Sequence, residues 1–107
     1  MYADYIEERE GAQIVQTASG FATFRLEKDH SYLLDLYVAP EARGTGAAQE
    51  LFEIVIAHTL EAGLTRMAGS VVPSTKGAHR MMEIMLGRGF KLYAAEKDIV
   101  YFMKELK

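Results

Sequence analysis

Two glycines one residue apart, Gly44 and Gly46, stand where an extended stretch gives way to an amphipathic one. The run reads Leu36-Tyr-Val-Ala-Pro-Glu-Ala-Arg43-Gly44-Thr45-Gly46-Ala47-Ala48. A strand from Ser31 to Val38 enters a loop at Ala39-Pro40, and a helix is expected to start directly after the glycines. The first turn of a helix carries backbone N–H groups with no intrahelical acceptor, and it is the positive end of the macrodipole. Glycine lets that backbone approach a ligand with no Cβ between them. Such a loop is an anion site, and the chemistry it serves is the holding of a phosphate or pyrophosphate.

Spacing discriminates among phosphate loops. A P-loop needs four residues between its glycines and a Lys-Ser/Thr pair after the last. Here Thr45 alone separates the glycines and Ala47-Ala48-Gln49 follows. A dinucleotide fingerprint needs a third glycine at the position of Gln49. What remains is Arg43-x-x-Gly46-x-Ala48 preceded by Val38-x-Pro40, with a strand before and a helix after. This pattern resembles the acyl-CoA signature of the GNAT superfamily of N-acetyltransferases, and the resemblance extends from Ser31 to the C-terminus.

The resemblance implies an acyl-CoA ligand, with acetyl-CoA as donor. The loop amides of Gly44, Thr45, Gly46, Ala47 and Ala48 would hold the CoA pyrophosphate. Leu36, Tyr37 and Val38 would lie on a strand that splays from its neighbour, pairs with the pantetheine arm and offers a backbone N–H to the thioester oxygen. Arg43 reads either as an added charge contact or as a solvent-exposed loop arginine.

Acyl transfer to an amine has further needs. The amine must be neutral when it attacks, the developing oxyanion needs donors, and the departing thiolate takes a proton. Asp35 is the one carboxylate inside an otherwise apolar strand. A buried carboxylate with a raised pKa can act as a base; the competing reading is a structural carboxylate hydrogen-bonded to a neighbour. By comparison with polyamine-type members of the superfamily, the usual base position falls on Leu34. The superfamily's common general acid is a tyrosine four residues before the glycine of a Gly-Phe pair. Counting back from Gly89-Phe90 gives Met85, and the asparagine that usually precedes that tyrosine falls on Ala78. His79 is the nearest titratable side chain, but it lies off the apolar stripe and reads as a solvated helix residue. These departures imply either a weak amine acetyltransferase or a non-catalytic acyl-CoA-binding or regulatory module.

The elements that must position these groups follow from periodicity. Gln13 to Thr17, Phe21 to Leu26 and Tyr32 to Val38 read as strands, as does Tyr2 to Glu8 before a turn at Glu10-Gly11. A helix from Thr45 to Ala62 presents Leu51, Phe52, Val55, Ile56 and Leu60 on one stripe and ends at Gly63. Arg66 to Val72 is a short strand. A second helix opens at Pro73-Ser74-Thr75, with Ser74 or Thr75 as N-cap, carries Ala78, Met81, Met82 and Met85 inward, and ends at Gly87-Arg-Gly89. Phe90 to Tyr93 and Ile99 to Leu106 close as an antiparallel pair. The expected fold is α/β (α+β): one mixed, mostly antiparallel sheet flanked by two main helices. It is similar to the acyl-CoA N-acyltransferase fold without its usual N-terminal strand and helices, which leaves the acceptor side open.

Bulk properties agree with one domain over residues 1–107 that carries half apolar residues and no cysteine. The net charge of −3 and the dispersed basic residues predict no nucleic-acid partner. His30, His58 and His79 show no metal spacing with carboxylates, so no metal is expected. The acidic N-terminus is unlike a secretory leader, and no apolar run approaches the ~20 residues of a membrane span. A cytoplasmic protein is expected, and an apolar edge or face left open on the acceptor side predicts a homodimer.

Overall fold

Runs of β-branched and aromatic residues bounded by turn residues set the strands. The computed structural model describes residues 12–106; the extension expected over Tyr2 to Glu8 and its turn lie outside them. In chain order the elements are β1 (Gln13–Thr17), β2 (Gly20–Leu26), β3 (Ser31–Val38), a 3₁₀ turn (Pro40–Ala42), α1 (Ala47–Glu61), β4 (Arg66–Val71), α2 (Ala78–Gly87), β5 (Lys91–Glu96) and β6 (Ile99–Glu105). The strands form one sheet in the order β1-β2-β3-β4-β6-β5. Every neighbouring pair is antiparallel except β3 and β4, which α1 joins as a crossover.

Both helices lie on one face of the sheet. Leu51, Phe52 and Val55 of α1 are fully buried against Ala22, Phe24 and Leu33. Side chains of this kind contribute about 1.5–3 kcal/mol each when removed from water. Phe52 meets Phe90 at 5.8 Å between ring centroids, and an ion pair between Glu53 and Arg88 ties α1 to the end of α2. Strand alternation directs Thr23, Tyr32, Asp35, Tyr37, Ser70 and Tyr101 to the opposite face, to which neither helix packs.

Several boundaries differ from expectation, each for a local reason. Helix α1 starts at Ala47, because Gly46 holds φ 88° and cannot be a helical residue. Leu60 is 37% exposed, and Thr59 takes its place on the buried stripe. Thr59 Oγ1 lies 2.8 Å from both Val55 O and Ser31 Oγ, so a buried hydroxyl pair joins α1 to β3. Helix α2 starts at Ala78 with Gly77 as its N-cap, not Ser74 or Thr75. Thr75 is already committed to its own turn, its N–H and its hydroxyl both donating to Val72 O. Strand β5 starts one residue late because Phe90 is held by the end of α2. The N–H of Phe90 donates to Met85 O and that of Gly89 to Leu86 O, closing the helix before the strand begins.

Candidate active site

The register of β3 contains the feature that opens the sheet. Thr23 pairs with Asp35, but the next residue, Phe24, pairs with Leu33. Leu34 is therefore an extra residue, a bulge in β3. Bulges bend a strand and disturb its pairing. On its other side β3 pairs with β4 only through Ser31↔Met67, Tyr32↔Ala68 and Leu33↔Gly69. Beyond the bulge, Leu36 to Val38 stay with β2, while Ser70 and Val71 continue along β6. The two parallel strands part at Leu33 and Gly69. Among the described residues neither strand has a strand partner across the gap, and backbone edges of this kind accept a partner strand or an extended ligand.

The loop that follows β3 opens beside this gap. Ala39-Pro40 leads into the 3₁₀ turn, and the chain then passes through two left-handed glycines, Gly44 at φ 83° and Gly46 at φ 88°. A Cβ built at either glycine meets no atom within 4 Å, so the space above them is open and glycine is required for conformation rather than for internal packing. No side chain caps α1, and the first backbone bond at its start is Glu50 N–H to Gly46 O. The N–H groups of Ala47, Ala48 and Gln49 point forward from a helix of four turns with its dipole behind them. Thr45 Oγ1 turns back to Ala42 O at 2.5 Å and braces the loop.

The other expected site residues are placed as follows. Arg43 is exposed, yet it is not idle: Nε donates to Val38 O at 3.0 Å, and its guanidinium carbon lies 5.9 Å from the centroid of the Tyr37 ring. It clamps the loop to the end of β3. Tyr37 stacks on Phe21 on the helix-free face, Val38 is buried, and Leu36 is half-buried. Of the two readings of Asp35, the buried carboxylate is not what the strand presents, while a hydrogen bond to the neighbouring strand is. Its carboxylate is exposed on the helix-free face, where Thr23 Oγ1 donates to it at 3.1 Å. It stands one residue past the bulge, at the open end of the gap.

Met85 is 1% exposed, and its Cε lies 2.8 Å from where a Cβ on Gly69 would stand. It therefore covers the parting point of β3 and β4 from the helix side. Ala78 is buried in the first turn of α2. His79 is 87% exposed and faces Glu83 at 3.6 Å. The one resolved pKa displacement among the described residues lies in the β2–β3 turn, where a hydrogen bond from His30 holds the Asp29 carboxyl below its ordinary value.

Two site features were not legible in advance. One is the bulge at Leu34, which no glycine or proline marks. The other is a hydroxyl pair: Tyr32 Oη donates to Ser70 Oγ at 2.7 Å, joining β3 to β4 on the helix-free face. In an apolar strand, Tyr32 reads as one more strand former, and its partner lies 38 residues along the chain.

A family model described as acetyltransferase (GNAT) family matches residues 4–87. Solved structures share the fold. An acetyltransferase of the GNAT family from Staphylococcus aureus Mu50 aligns with a TM-score of 0.78 at 16% identity, over 97% of this chain and 75% of that one. A GNAT family acetyltransferase from Elizabethkingia anophelis, with acetyl-CoA bound, aligns at 0.74 and 10% identity over 96% and 82%. The ribosomal-protein-S18-alanine N-acetyltransferase from Escherichia coli aligns at 0.70 and 17% identity over 98% and 76%. No curated protein matches the sequence.

Proposed function

Since the chain belongs to the acetyltransferase (GNAT) family, we propose that it binds acetyl-CoA at the loop after β3 and transfers the acetyl group to a primary amine. The observation that carries this reading is the conjunction of two openings. The strands part at Leu33 and Gly69, and the uncapped, glycine-lined start of α1 faces the same end of the sheet. A ligand with a pyrophosphate and a long amide-bearing arm needs both.

The residues divide the work. The N–H groups of Gly44, Thr45, Gly46, Ala47 and Ala48 receive the pyrophosphate. The edge of Leu36, Tyr37 and Val38 that faces the gap hydrogen-bonds the amide arm and supplies an N–H to the thioester oxygen, where preformed donors favour the developing oxyanion. Arg43 holds the loop in place and brings positive charge to it. Asp35, on the helix-free face at the open end of the gap, receives the incoming amine and takes its proton, directly or through water. That face carries neither helix and presents Phe21, Tyr37 and Asp35 together, so a protein or peptide amine fits it better than a small molecule that must be enclosed.

A second reading rests on specific residues. Met85 and Ala78 are buried and cannot donate a proton, which favours a module that binds acyl-CoA without using it. Thermal shift with acetyl-CoA and release of CoA in the presence of lysine peptides, polyamines and aminoglycosides separate the readings. Binding with turnover supports transfer. Binding without turnover supports the second reading, and no binding overturns both.

A further inference from the structure

Where does the thiolate find its proton if position 85 cannot supply one? The helix side of the parting point is closed by Met85. The opposite side, at the same level, holds the Tyr32–Ser70 hydroxyl pair. Tyr32 pairs with Ala68 in the last paired stretch of β3 and β4, and Ser70 is the first β4 residue beyond the last pair, Leu33↔Gly69. Ser70 is exposed, and Tyr32 uses its own proton on Ser70 Oγ. A hydroxyl that accepts one bond keeps its own proton free to donate. Resting on the transfer reading above, we propose that Ser70 and Tyr32 form a proton relay to the leaving sulfur, entering from the sheet face opposite to the one that position 85 occupies.

The step balances. The amine nitrogen forms its bond to the acetyl carbon, and the C–S bond breaks with its electron pair on sulfur. Sulfur takes the proton of the Ser70 hydroxyl, and Ser70 takes the proton of Tyr32. Tyr32 recovers a proton from water, to which Asp35 releases the proton it took from the amine. Net, thioester and amine give amide and thiol. On the same face the Arg25 guanidinium lies over the Tyr32 ring with Cζ 5.8 Å from the centroid, and Arg25 is held there by Glu27 at 2.7 Å.

The test compares Tyr32→Phe, Ser70→Ala and the double variant with wild type, by CoA release under saturating acetyl-CoA and amine. Each single variant is expected to lose about 10²-fold in kcat, the low end for a general acid, because thiolate leaves readily near neutrality. KM for acetyl-CoA and its thermal shift should stay within about twofold of wild type, and the double variant should lose no more than either single one, as expected of groups acting as a unit. Ser70→Thr keeps a hydroxyl and should retain turnover. Wild-type turnover with unchanged kcat in Tyr32→Phe and Ser70→Ala overturns the relay and leaves the transfer reading intact. A loss that follows melting temperature alone, or that Ser70→Thr fails to rescue, reduces the pair to a strand staple. A wild type that binds acetyl-CoA but releases no CoA with any amine removes both.

Discussion

Gly46→Val separates the conformational requirement of the loop from its ligand requirement. Gly46 sits at φ 88°, where a side chain costs about 1–2 kcal/mol. A new Cβ there meets no protein atom within 4 Å, so no packing penalty adds to the strain. For a small domain each kcal/mol moves Tm by about 4–8 °C, so the apo variant should melt roughly 5–15 °C below wild type and still fold. Gly63 supplies the control. It holds φ 82° just past the other end of α1, and its Cβ position is equally open. Gly63→Val should therefore lose a similar amount of stability without touching the loop. Acetyl-CoA at about 100 times its Kd stabilises a protein that binds it only when folded by ~2.7 kcal/mol, or roughly 10–20 °C here. Differential scanning fluorimetry should show that shift in wild type and in Gly63→Val and its loss in Gly46→Val, where two methyl groups fill the cradle. If Gly46→Val shifts as much as Gly63→Val, the pyrophosphate does not lie over this loop.

Three further outcomes follow from the same geometry. Asp35→Asn should lower turnover by about 10²-fold near pH 7 and much less near pH 10.5, where about half of a lysine amine is already neutral without a base; a flat ratio across pH removes Asp35 from the mechanism. Thr59→Val leaves the buried Ser31 hydroxyl without its partner on α1 and should destabilise the fold by about 1–3 kcal/mol in urea unfolding, with acetyl-CoA affinity at the distant loop unchanged. Edge strand β5 exposes Leu92 and Tyr93 at 60% and 59%, and sedimentation at high micromolar concentration should find a homodimer that Leu92→Lys dissociates; a monomer there counts against it.

The elements were legible because their signals are local. Strand formers between turns set the strands, and the spacing of Leu51, Phe52 and Val55 set α1 and its buried face. Errors fell where a tertiary contact competes with a local preference. Leu60 belongs to the stripe by spacing, yet Thr59 is buried because Ser31 on β3 offers its hydroxyl a partner. Ser74 and Thr75 are favoured N-caps, but the backbone turns left-handed at Gly77 and starts the helix there without one. Asp35 looked buried because every neighbour in the strand is apolar. Alternation hides which face a residue takes once a bulge resets the phase, and Leu34 resets it one residue earlier.

The loop and the chemistry differ in legibility for a related reason. A phosphate cradle is built from consecutive backbone groups, so its glycines lie side by side in the sequence and declare themselves. A proton donor needs only one side chain at the right point in space, and several positions can reach that point. Met85 and the Tyr32–Ser70 pair flank the parting of β3 and β4 from opposite faces, while lying far apart along the chain. Counting back from Gly89 can find the first position and cannot find the second, because the second exists only once β3 and β4 are paired. An apolar residue at position 85 is therefore weaker evidence for lost catalysis than it looks in sequence. Gly69 bears on this directly: without a side chain of its own, it lets Met85 lie against the sheet. Replacing Met85 with a bulkier phenol would crowd that contact at a cost of about 1–3 kcal/mol. The packing that keeps Met85 in place thus disfavours an acid on the helix side and is consistent with the relay proposed from the opposite face.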